Sequence, residues 1–335
     1  MLVDGKRIVL AVLAFVLLAS LLVRVMQPQF VAITAQSTSL ARTLVPSKSL
    51  LPGLLVPMEQ PAAATALPKP QGSVVSLGAS AGGYQEFQFI DQQGRAMNFL
   101  MYVPPLGAPG QKYPLVLVLE GSGEESIPGM TPTQGLSILA GHPYVTPWVP
   151  NPANPGAPNV QSKWPSFIVI PQITMPNRWV DVPGYQGSYQ LAPSPTVGLE
   201  MAKELLDTLR AEYTEIDANR LYVTGISMGG YGTWEMAERW PGYFAAAVPV
   251  AGAGDPSKAY LLKELPIWVF QGAADPIDPV SASQDMVAAI KSAGGNPKLT
   301  LYPGLGHNDT TWATVYDVTA PSSTNLFQWL FAQHK

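Results

Sequence analysis

Six short apolar runs recur between residues 114 and 304, several of them separated by stretches with helical periodicity. That alternation restricts the fold more than anything else in the chain. The runs are PLVLVLE (114–120), SFIVIPQ (166–172), RLYVTG (220–225), AAAVPVAG (245–252), PIWVFQG (266–272) and KLTLYPG (298–304). Each is too short for a helix and nearly continuous in apolar residues, the pattern of a strand buried on both faces. Between them, VGLEMAKELLDTLRAEY (197–213) places Leu199, Ala202, Leu205, Leu206 and Leu209 along one helical face, with Glu200, Lys203 and Glu204 off it. SASQDMVAAIKSAGG (281–295) opens with serine and closes with Gly-Gly, a start and stop pair for a second helix. Upstream, YQEFQFIDQQGRAMNFLMYVPP, from Tyr84, reads as two strands joined by a polar turn at Gly94. The expected class is α/β: a mostly parallel sheet of eight strands with an N-terminal antiparallel hairpin and helices on both faces. Ligand chemistry in such a sheet belongs at the carboxyl ends of the strands.

Before Tyr84 the pattern differs. Lys6 and Arg7 precede sixteen residues without charge, Ile8 to Val23, and Arg24 closes the run. The charge order is that of an export segment with its N-terminus inside. Sixteen helical residues span about 24 Å against a hydrocarbon core of about 30 Å, so cleaved signal and retained membrane anchor through residues 8–23 both stay open. The expected organisation is a signal peptide or signal anchor over 1–30, a Pro/Ala/Ser-rich linker over 31–82 and a catalytic domain over 83–335. The localisation expected is export: secreted, periplasmic or anchored to the outer face of the cytoplasmic membrane.

A net charge of −4 without a basic cluster argues against nucleic acid as a partner. No cysteine is present, which removes disulfides, thiol catalysis and cysteine-bound zinc; with only three histidines no metal site and no cofactor is implied. Charged residues make up 13% of the chain, about half the usual share, and the 34 prolines are about twice the usual share, so long neutral loops are expected.

The stretch LYVTGISMGGYGTW (221–234) sets Ser227 between a strand and a helix with glycines on either side. A tight turn alone would use such glycines. A nucleophile elbow needs them as well, to lift the serine hydroxyl above the sheet. A serine hydroxyl also needs a base. His307, in YPGLGHND, follows the last strand on the same edge of the sheet; His142 lies in a long loop and His334 at the C-terminus. The acid that orients the imidazole is sought among Asp255, Asp275, Asp278 and Asp285. Asp275 lies closest to the end of strand 266–272 and is favoured over Asp278. An oxyanion hole is expected from the backbone N–H groups of Ser122, in the turn EGSGE (120–124), and Met228.

With EGSGE (120–124), IDANRLYVTGISMGGYGTWEMA (216–237), FAAAVPVAG (244–252), QGAADPIDPV (271–280) and YPGLGHND (302–309) in view, residues 83–333 resemble the α/β-hydrolase superfamily. The likeness is to lidless secreted esterases related to polyhydroxybutyrate depolymerases and to feruloyl and acetylxylan esterases, overlapping with prolyl-oligopeptidase-like peptidases. It implies a Ser227–Asp275–His307 triad and hydrolysis of bulky or polymeric esters through an acyl-enzyme. The alternatives are an exported serine peptidase and a non-catalytic binding protein on the same fold. Only GAGDPSKAYLLKEL separates Val250 from Pro266, too few residues for a lid domain. Trp179 and Trp312 are expected to line an open cleft for substrate. Two residues depart from the family pattern: Glu120 stands where histidine is usual before the oxyanion glycine, and Asp278 where valine is usual. An unpaired buried carboxylate at Glu120 would be costly, so it should face water or be held by Arg178 or by backbone N–H groups.

Overall fold

The apolar runs become strands of one sheet in the computed structural model, which describes residues 68–182 and 187–335. In chain order the strands are β1 (Gly72–Ala81), β2 (Tyr84–Asp91), β3 (Ala96–Tyr102), β4 (Tyr113–Leu119), β5 (Phe167–Gln172), β6 (Ile216–Ile226), β7 (Ala246–Val250), β8 (Trp268–Gly272) and β9 (Lys298–Tyr302). Their spatial order is β1-β2-β3-β5-β4-β6-β7-β8-β9. Pairing is antiparallel from β1 to β5 and parallel from β5 through β4 to β9.

The sheet therefore has nine strands, one more than the sequence pattern suggests. The extra strand, β1, lies in residues assigned above to the linker. Its sequence GSVVSLGASA is mostly glycine, serine and alanine, and half-buried and exposed positions mix along it with none fully buried. It is an edge strand paired only to β2, and its register shifts between Ser76 and Ser80, around Gly78 with φ of 70°. Such a strand carries little of the hydrophobic signal that marks a buried one. The export segment and linker residues up to 67 fall outside the described residues.

Helices cover both faces because the strand alternates its side chains with a period of two. On β4, Leu115, Leu117 and Leu119 point to one face, where they pack in a cluster with Leu199, Leu205, Leu206 and Trp234. Those residues come from helix α2 (Val197–Glu212) and helix α3 (Met228–Arg239); helix α4 (Val280–Ser292) adds Met286 and Ile290 to the cluster. Val116 and Val118 point to the opposite face, with Leu136 and Leu139 of helix α1 (Pro132–Ala140), Trp312 of helix α5 (Asp309–Val315) and Phe327 of helix α6 (Leu326–Leu330). The apolar stripe read from 197–213 is buried as expected, and Thr196 caps that helix through Leu199 N–H. Full burial of each such leucine stabilises by about 1.5–3 kcal/mol. The central strands β4 and β6, buried on both faces at their carboxyl ends, make a rigid base for what stands above them.

Candidate active site

Ser227 joins β6 to α3 in a backbone conformation that side chains rarely adopt, φ 52° and ψ −120°. Such strain persists only where the surroundings impose it. Here Ser227 N–H donates to Val250 O at 2.9 Å, and Tyr231 N–H, the first to close the helix, donates to Ser227 O at 3.1 Å. The glycines around it are required by close approach. A Cβ on Gly229 would lie 2.1 Å from Leu119 O and 2.6 Å from Glu120 O, and one on Gly225 would lie 2.5 Å from Gly229 O. The glycines let the start of α3 press onto the end of β4, which leaves the serine side chain at the apex of the turn.

His307 reaches this apex from the loop after β9. Asn308 caps α5 by accepting from Thr310 and Thr311 N–H, and the Thr311 hydroxyl donates to Gly306 O at 2.6 Å, so the loop is fastened on both sides of the imidazole. The His307 Nε2–Ser227 Oγ and His307 Nδ1–Asp275 Oδ2 distances are both 2.8 Å. Asp275 is held in the turn after β8, where its other oxygen accepts from Ile277 and Asp278 N–H at 2.9 Å each. Burial opposes the charge of Asp275, but the hydrogen bonds from His307 and these two N–H groups outweigh it and hold the carboxyl below its ordinary range. Burial likewise opposes a charged His307; the hydrogen bond and charge of Asp275, with Asp278 and Glu124 behind it, outweigh that and raise the imidazole above its usual value. With Asp275 ionised, Nδ1 carries the proton and donates to it. Nε2 then holds a lone pair toward the Ser227 hydroxyl, the arrangement that draws off a hydroxyl proton.

The other candidates for base and acid lie elsewhere. His142 sits with Nδ1 3.6 Å from Glu124 Oε1. Asp255 is occupied in capping, accepting from Ser257 and Leu191 N–H. Asp285 is exposed on α4. Asp278 is different: its Oδ2 lies 3.6 Å from His307 Nδ1, behind Asp275. Of the expected oxyanion donors, Met228 is the first residue of α3, where an N–H has no intrahelical acceptor, and Ser122 is exposed in the turn that follows β4.

Neither tryptophan offers a flat face to a cleft. Trp179 is fully buried, its Nε1–H donating to Glu120 O at 3.0 Å and its side chain packed against α3 at Gly232. An indole N–H buried with a carbonyl partner is a core residue, and the cleft-lining expectation for Trp179 is corrected accordingly. Trp312 is 4% exposed and meets the His307 ring edge-on, with centroids 5.1 Å apart and planes at 88°. It buttresses the imidazole from α5.

Glu120 is 0% exposed, and its Oε1 accepts the backbone N–H of Ile173 at 2.5 Å. Of the arrangements expected for it, the backbone one is present. Burial raises its carboxyl well above the ordinary range; the Ile173 hydrogen bond opposes this, and the charges of Glu125 and Glu124 add to it. Burial thus favours the neutral acid at Glu120, which weakens the negative charge at the base of the oxyanion turn. The sequence reading gave Glu124 no role although EGSGE contains it. It is nearly buried beside Tyr144, whose hydroxyl lies 3.5 Å from Oε2. Burial, with the charge of Glu125, pushes it up to about 7.

Known proteins are similar to the chain in sequence or in fold over parts of its length. The description of the prolyl oligopeptidase family matches residues 201–268, which contain Ser227. Poly(3-hydroxyalkanoate) depolymerase C of Paucimonas lemoignei is 44% identical over 50 residues, 15% of this chain and 12% of the depolymerase. The crystal structure of a thermostable esterase superposes with a TM-score of 0.60 at 30% identity, covering 76% of this chain and 64% of the esterase chain. A puromycin hydrolase structure, with a TM-score of 0.50 at 13% identity over 74% of this chain and 39% of its own, shares the fold. The chain thus spans about an eighth of the depolymerase and under two thirds of the thermostable esterase.

Proposed function

We propose that this chain, an α/β-hydrolase in fold, is a serine esterase. The observation that carries the reading is the unbroken line Ser227 Oγ–His307 Nε2 and His307 Nδ1–Asp275 Oδ2, each 2.8 Å, at the carboxyl ends of β6, β9 and β8. Ser227 Oγ attacks the ester carbonyl while His307 Nε2 takes its proton. The imidazolium is stabilised by ionised Asp275, and the tetrahedral oxyanion by the N–H groups of Met228 and Ser122. His307 then gives the proton to the leaving alkoxide, which departs as the alcohol and leaves an acyl-Ser227. Water, deprotonated by the same Nε2, releases the acid and restores the serine. The burial that favours the neutral form of Glu120 suits this chemistry, since an anion there would oppose the developing oxyanion.

The substrate class in this proposal is a bulky or polymeric ester of feruloyl, acetyl-polysaccharide or polyester type. The likeness to a depolymerase and to a thermostable esterase favours it. Export before action on such substrates belongs to the same proposal and rests on the charge order of residues 1–30. A serine peptidase is the second reading, favoured by the match to the prolyl oligopeptidase family. A panel of p-nitrophenyl esters from acetate to octanoate, with feruloyl and polyester substrates beside peptide anilides, separates the two. Faster cleavage of anilides than of every ester would overturn the esterase reading.

A further inference from the structure

Asp278 is 2% exposed, three residues beyond Asp275 in the same turn. Its backbone is fixed at both ends: the N–H donates to Asp275 Oδ1 at 2.9 Å and the C=O accepts from Gln271 Nε2 at 2.7 Å. Its carboxyl Oδ1 accepts the Tyr231 hydroxyl at 3.0 Å. Oδ2 has no hydrogen-bond partner among the described residues and lies 3.6 Å from His307 Nδ1. A buried, unpartnered carboxyl oxygen is costly in a resting protein. That cost is offset when a positive charge forms beside it, and the imidazolium of His307 is such a charge.

We propose that Asp278 is a second carboxyl serving His307, a positioning residue that steadies the imidazolium alongside Asp275 and receives the Nδ1 proton contact when Asp275 is lost. This rests on the serine-hydrolase role given above to Ser227 and His307. The groups facing the pair are Tyr231 from α3, Asp275 from the shared turn and Glu124 from the loop after β4, and each acts on the titration. Burial pushes Asp278 up to about 7, the charge of His307 and the Tyr231 hydrogen bond pull it down, and Asp275 pushes it up again. Near neutral pH it is therefore poised between its two forms, and a charged His307 favours the anion. In molecules where Asp278 is ionised, no proton leaves or enters it in the acylation step: one proton moves from Ser227 Oγ to His307 Nε2, beside the Asp278 anion. The anion raises the affinity of His307 for that proton.

The test reads the covalent labelling of Ser227 by a fluorophosphonate across pH 5 to 9, a reaction that needs the activated serine but no particular ester. Asp278→Asn keeps an acceptor for Tyr231 and removes the charge. It is expected to slow labelling at pH 8 by about tenfold and to move the acid limb of the profile to lower pH, because His307 loses an anion. Asp275→Ala is expected to label about 10²-fold more slowly than the wild type. Adding Asp278→Asn to it should cost about another 10²-fold, more than the same change costs with Asp275 present. An Asp278→Asn protein whose labelling rate and acid limb match the wild type overturns the proposal, even if its melting temperature falls. So does an equal cost of that change with and without Asp275. If Asp275→Ala does not fold, the acid limb of Asp278→Asn alone decides. A wild type that labels at Ser227 but hydrolyses no ester would refute the esterase reading and leave this test standing.

Discussion

Replacing Glu120 by glutamine should change stability in opposite directions at low and high pH. The native carboxyl is fully buried, with Oε1 held by the Ile173 N–H at 2.5 Å and Oε2 without a hydrogen-bond partner among the described residues. Burial raises its proton affinity, so the folded protein keeps a proton that the unfolded chain releases above its ordinary value of 4.5. A group whose folded pKa is raised contributes stability that is present below the unfolded pKa and lost as pH rises toward the folded one. While the native carboxyl stays protonated, the loss is about 1.4 kcal/mol per pH unit. Glutamine has the same shape, can accept the Ile173 N–H and does not titrate. Its NH₂ brings donors to the unpartnered Oε2 position, at a cost of about 1 kcal/mol against the protonated acid. The variant should therefore be less stable than the wild type by about 1 kcal/mol at pH 5 and should overtake it as pH rises, gaining at most about 1.4 kcal/mol per pH unit. Urea unfolding followed by tryptophan fluorescence at pH 5, 6.5 and 8 measures the crossing. A stability difference that stays constant across this range would refute a raised proton affinity at Glu120.

Ser227→Ala and His307→Ala should each lower kcat toward esters by roughly 10³-fold or more with an unchanged circular dichroism spectrum, since the groups act as a unit; more than a tenth of wild-type activity in either would end the mechanism. Because Asp275 and its neighbours raise His307 above 6.5 despite its burial, a falling pH charges the base early. For a neutral ester, kcat/KM should drop about tenfold per pH unit below an apparent pKa higher than 6.5, and a profile flat down to pH 5 would contradict that role. Gly229→Ala forces a Cβ to 2.1 Å from Leu119 O, a backbone atom that cannot step aside, so it should destabilise by about 2–3 kcal/mol in urea titration. A chain beginning at Pro68 should melt like the full chain, whereas one beginning at Gly83 lacks β1 and the Gln71 N–H to Thr208 hydrogen bond of 3.0 Å and should melt lower. Equal melting of the two would make β1 dispensable.

What could be read from the sequence was whatever left a periodic or stoichiometric trace. The α2 stripe and the doubly buried strands did so, because burial on a fixed period forces apolar residues onto it. Ser227, Asp275 and His307 were legible for another reason: three histidines and a few acids, set in chain order after successive strands, leave few ways to assemble the relay. β1 was not legible, since an edge strand made mostly of glycine, serine and alanine owes its pairing to backbone groups that every sequence has. Trp179 misled because its neighbours RWVD resemble a surface loop, while its position is set by a carbonyl at residue 120, 59 positions earlier in the chain. The danger of a charge at Glu120 was visible, but its remedy, an N–H at Ile173 just past the neighbouring strand, depends on sheet order.

The contact of Gly229 with the carbonyls of Leu119 and Glu120 has a bearing on how such an enzyme diversifies. The elbow that carries Ser227 meets the end of the strand before Ser122 backbone against backbone at Gly229, and the Ile226 side chain packs against Gly121 beside it. The spacing between Ser227 and Ser122, the two residues given these roles in the proposed mechanism, is therefore tied to backbone contacts more than to the residues around the cleft. Surface segments that hold none of Ser122, Ile173, Trp179, Asp275 and His307 can lengthen, lose charge or trade aromatic for aliphatic surface without moving those two residues relative to each other. Directed evolution toward a new ester is best aimed at these segments, where recombination alters which substrate is held while the reaction centre is inherited intact.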